Sequence, residues 1–66
     1  VNKDLRRLKR DIEKGSASQG QPFDRYAYNA FSWQAKHWMT YGKTQEERKE
    51  AARLHDLAVQ KSRELA

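Results

Sequence analysis

Phe23-Asp24-Arg25-Tyr26-Ala27-Tyr28-Asn29-Ala30-Phe31-Ser32-Trp33-Gln34-Ala35-Lys36-His37-Trp38-Met39-Thr40-Tyr41 holds all seven Phe, Trp and Tyr side chains of the 66-residue chain. At ~100° per residue, its apolar and aromatic side chains sweep an arc of roughly 240° around a helix, leaving a polar strip of Arg25, Asn29, Ser32, Lys36 and Thr40. A helix so apolar needs cover from more than one side. The arc resolves into two seams. Ala27, Phe31, Ala35 and Trp38 form the first, with Tyr28 and Met39 at its edge; Tyr26, Ala30, Trp33, His37 and Tyr41 form the second. Two seams ask for two neighbours, and an amphipathic segment lies on each side of this one in the chain.

Upstream, Val1, Leu5, Leu8 and Ile12 recur at helical spacing up to Gly15. Downstream, Thr44-Gln45-Glu46-Glu47 has the spacing of a capping box, in which the threonine hydroxyl and the Glu47 carboxylate satisfy backbone N–H groups at a helix start. The apolar stripe that follows is Ala51, Leu54, Ala58 and Leu65, flanked by Leu57 and Val59. Its small alanines suit the bulky rings of the aromatic helix. The pattern predicts an all-α, three-helix domain with helices over about residues 2–14, 23–41 and 45–64. Only a short turn around Gly42 separates the second and third, so these form an antiparallel hairpin, with the first helix packed across it. Residues 15–22, with Gly15, Ser16, Ser18, Gly20 and Pro22, read as a flexible connector.

A chain this short forms one domain with little stability to spare. It has no cysteine, so neither a disulfide nor a thiolate metal site reinforces it. No apolar run has the length of a membrane span, and the start lacks a signal-peptide apolar region, so a soluble intracellular protein is expected. The chain opens at Val1, through loss of an initiator or as part of a longer protein.

The net charge of +5 is uneven. Residues 44–66 carry five basic and five acidic side chains, whereas residues 1–14 carry six and three. On the predicted first helix, Lys3, Arg6, Arg7, Arg10 and Lys14 fall within about 100° of arc, opposite the apolar stripe and with no acid among them. At ~1.5 Å per residue this row is roughly 16 Å long, enough to meet two or three phosphates. A solvated charged face is the ordinary use of such residues, but one that served solubility alone would interleave acids with the bases.

Other chemistry is poorly supported. The two glycines of the connector lack the Lys-Ser/Thr ending of a phosphate loop. His37 and the adjacent His55 and Asp56 have no further ligands at metal-binding spacing, and no serine has a partner that would activate it. No catalytic residue, metal or cofactor is therefore expected. A helix–turn–helix reading fails on the third helix, whose outer face mixes Glu46, Glu50, Asp56 and Glu64 with its bases.

Two binding functions follow from these residues. The first is docking on nucleic acid, DNA or RNA, through Lys3, Arg6, Arg7, Arg10 and Lys14. The second is an adaptor or inhibitor that meets an acidic protein surface, or a second copy of itself in a homodimer, through Tyr28, Trp33, His37 and Tyr41.

Overall fold

The computed structural model describes residues 3–16 and 20–65, which form helices α1 (Lys3–Lys14), α2 (Arg25–Tyr41) and α3 (Gln45–Glu64). The architecture is the expected one. α2 and α3 make the largest interface as an antiparallel hairpin, and α1 lies across it in contact with both. None of the described helices is long and apolar enough to cross a membrane.

Local signals set the helix ends. The Asp24 carboxylate accepts from the backbone N–H of Ala27 at 2.9 Å, and the Thr44 hydroxyl accepts from that of Glu47 at 3.1 Å. Each satisfies an N–H that the first turn of a helix leaves without an intrahelical partner. Glu47 reaches back as a capping box requires, but one residue further than expected: its Oε2 accepts from the N–H of Lys43 at 2.8 Å. α1 ends where Gly15 turns to φ +75°, a conformation costly for side-chain-bearing residues, with its N–H donating to the Asp11 carbonyl.

The connector expected to be flexible is closed at its ends. The N–H of Phe23 donates to the Gly15 carbonyl at 3.2 Å, and Ser16 and Pro22 pair in an isolated antiparallel bridge. Residues 17–19, at the centre of that connector, lie outside the described residues, as does Val1.

Leu5, Leu8 and Ile12 from α1, Ala35 from α2, and Ala51, Leu54 and Ala58 from α3 form the buried cluster, with Phe31, Trp38 and Leu57 packed against it. The apolar stripes expected of α1 and α3 are thus the buried ones, except that Leu65 is exposed. The Cα trace measures 32 × 22 × 13 Å, its shortest extent being that of two packed helix backbones. Ile12 and Leu54 are accordingly the largest side chains to be completely enclosed.

One expectation fails. The two seams of α2 do not each receive a neighbour. Because α1 and α3 also touch each other, both must lie on the same side of α2, and both cover the first seam. The core line even crosses into the expected polar strip, where Ser32 is buried. Its hydroxyl donates to the Asn29 carbonyl one turn back, which satisfies it without a partner from another helix. The second seam remains in solvent.

Candidate functional site

On α1, a row of cations follows directly from the position of the apolar stripe. Leu5, Leu8 and Ile12 face the hairpin, which turns Lys3, Arg6, Arg7, Arg10 and Lys14 outward, and all five are exposed. Among the described residues none of the five is in an ion pair. The charges of α3 behave differently. Arg53 Nη2 lies 2.7 Å from Glu50 Oε2, while the other oxygen of Glu50 stands 4.0 Å from Lys9 Nζ. His55 and Asp56 approach at 3.6 Å. Thus α3 partly neutralises its own bases, and the α1 row does not.

The open seam of α2 is the second feature. Trp33, Tyr41 and Tyr26 keep 69%, 67% and 66% of their surface in solvent, and Ala30 and His37 between them are exposed. Cations lie over two of the rings: Arg25 Cζ is 5.0 Å from the centroid of Tyr26, and Lys36 Nζ is 5.3 Å from that of Trp33. His37 joins the stripe to the core edge, with its ring 4.9 Å from Tyr41 and 5.1 Å, edge to face, from half-buried Trp38. No acidic residue occurs in α2.

Tyr28 does not belong to this surface. Expected there with Trp33, His37 and Tyr41, it is only 5% exposed. Its ring packs edge to face on Phe23 at 5.9 Å and on Phe31 at 6.0 Å, and Phe23 and Phe31 close the triangle at 5.0 Å. The cause is local. Phe23 precedes the Asp24 cap and Tyr28 stands in the fourth helical position, the spacing at which two apolar side chains staple a helix entrance. That signal was present in the sequence and marks Tyr28 as structural.

Between the two features runs an open cleft. Asp4, Arg7, Leu8 and Asp11 from α1 line one wall, and Trp33, Gln34 and His37 from α2 line the other. Arg7 therefore belongs to both the cationic row and the cleft, and links charges on α1 to rings on α2. The sequence had placed these two sets of residues on separate helices, with no means of showing that they share an edge.

Chemically, the arrangement offers unpaired positive charge beside flat, exposed π surface. Such groups bind anions and planar rings. No protein-family model matches the chain, and neither the curated proteins nor the solved structures yield a significant match.

Proposed function

We propose that the protein is a non-enzymatic nucleic-acid-binding domain that docks on backbone phosphates through α1. The observation that carries this reading is the row Lys3, Arg6, Arg7, Arg10 and Lys14: exposed, gathered on one arc of α1 and without ion-pair partners among the described residues. Cations already paired lose those partners when they bind phosphate, whereas this row loses only water and mobile ions. The row meets phosphates without any groove-reading element, so affinity arises from charge and carries little sequence preference.

The test is a titration of fluorescent DNA and RNA with the wild-type chain and with a variant carrying Arg6→Gln, Arg7→Gln and Arg10→Gln together. Micromolar or tighter binding at low salt, lost in the variant, is the expected result. Equal binding by both proteins would remove α1 as the docking element.

The open stripe supports a second reading, a protein partner seated on Trp33 and Tyr41. Tyr and Trp supply large contact areas in protein interfaces. Binding of that kind survives added salt and is lost in Trp33→Ala.

A further inference from the structure

From the geometry we infer that the nucleic acid is single-stranded and lies along the cleft between α1 and α2, its phosphates on the row and unpaired bases stacked on Trp33 and Tyr41. This rests on the proposed phosphate docking by α1. It adds that the aromatic stripe of α2 belongs to the same site.

Three observations favour this occupant. The stripe presents flat rings and one small alanine, Ala30, and no Leu, Ile or Val. It therefore offers mainly flat stacking surface, on which a base of any identity can lie. Second, two of its rings carry a cation, Arg25 over Tyr26 and Lys36 over Trp33. An apolar protein surface would strip water from those charges at a cost, whereas a strand brings a phosphate with each base. Third, Arg7 belongs both to the cationic row and to the α1 wall of the cleft, so a strand held on the row reaches the rings of α2. Asp4 and Asp11 in the same wall repel phosphate and can accept hydrogen bonds from base N–H groups, which orients the strand with phosphates toward the row and base edges toward the cleft.

Ring spacing excludes a duplex from the stripe. At ~1.5 Å per residue, Trp33 lies ~10 Å along the axis from Tyr26 and ~12 Å from Tyr41. That is about three times the ~3.4 Å step between stacked bases. Each ring would thus take a separate, unstacked base, and the bases of a duplex have no free face to offer. A duplex would meet the α1 row alone.

The experiment compares a 15-nucleotide oligothymidylate with a 15-base-pair duplex at low salt, read by anisotropy of the labelled DNA and by quenching of tryptophan fluorescence. The proteins are wild type, Trp33→Ala, Trp33→Phe, Trp33→Leu and the triple arginine variant. Expected results are tighter binding of the single strand with quenching, at least about fivefold weaker single-strand binding in Trp33→Ala and Trp33→Leu, near-wild-type binding in Trp33→Phe, and unchanged duplex binding throughout the Trp33 series. Trp33 is largely in solvent, so these variants keep the fold, which circular dichroism checks. Unaltered single-strand binding in Trp33→Ala overturns this inference and leaves the α1 reading intact. Failure of both DNAs to bind wild type at low salt overturns the α1 reading itself and leaves the stripe to a protein partner.

Discussion

The backbone carbonyl of Trp38 stands only 2.6 Å from where a Cβ on Gly42 would be, so the turn from α2 to α3 closes at a distance that only glycine permits. Gly42 sits at φ −58° and ψ 137°, which any residue adopts, so space and not conformation requires it. Its N–H donates to that same carbonyl at 2.8 Å, and its own carbonyl accepts from Arg48 Nη1 at 2.8 Å. Gly42→Ala must displace backbone or push Arg48, whose Cγ is 3.0 Å from the added carbon. A loss of about 1–3 kcal/mol is expected, lowering Tm by roughly 4–8 °C per kcal/mol in a domain of this size. A thermal melt followed by circular dichroism measures it, and an unchanged Tm would mean that the turn relaxes freely.

Trp33 and Trp38 lie on the same helix and should respond oppositely to truncation. Trp38 is half-buried against the core cluster, whereas Trp33 is mostly in solvent. Trp38→Ala is expected to cost about 2–4 kcal/mol, somewhat less than a completely enclosed ring, and Trp33→Ala to stay within about 0.5 kcal/mol. Urea denaturation gives both values. Iodide should quench the fluorescence of Trp38→Phe, which retains Trp33, more strongly than that of Trp33→Phe; the reverse order would place the stripe in the interior.

Helix ends were legible in the sequence because local chemistry makes them. Thr44 with Glu47, Asp24 and Gly15 act on backbone groups within a few residues, so spacing alone identifies them. Which face of α2 is buried was not legible. Tyr26 and Tyr28 are the same residue type two positions apart in one apolar arc, yet one is 66% exposed and the other 5%. Phe23 holds Tyr28 locally, whereas the exposure of Tyr26 depends on where α1 and α3 meet each other, a contact between residues distant in sequence. The five cations of α1 were readable because they lie opposite a stripe that had only one way to face. That Arg7 shares a cleft with Trp33 depends on the docking of α1, which no periodicity encodes.

The alanines of the two faces make a direct test of that burial. Ala51 and Ala58 have no exposed surface, whereas Ala30 lies on the open stripe. Ala58→Leu or Ala51→Leu must force α2 and α3 apart and should cost about 1–3 kcal/mol. Ala30→Leu has only solvent to displace and should leave stability within about 0.5 kcal/mol. Destabilisation by Ala30→Leu as large as that by Ala58→Leu would show that a neighbour covers the second seam.

Charge and stacking can be separated by the salt dependence of binding. The logarithm of affinity falls with the logarithm of salt concentration at a slope of about −0.7 per phosphate neutralised on a single strand. Three phosphates held by the α1 row would therefore give a slope near −2 for wild type. In the triple variant of Arg6, Arg7 and Arg10 the slope should be clearly shallower than in wild type, because three of the row's five cations are gone. Trp33→Ala should shift the whole line to weaker binding and leave its slope unchanged, since stacking releases no ions. Arg53→Gln is the control: Arg53 is also exposed and cationic, but it lies on α3, where Glu50 holds it at 2.7 Å. Its removal should alter neither slope nor affinity. If Arg53→Gln lowers the slope as much as a single substitution within the row, binding follows net charge alone and α1 has no distinct role.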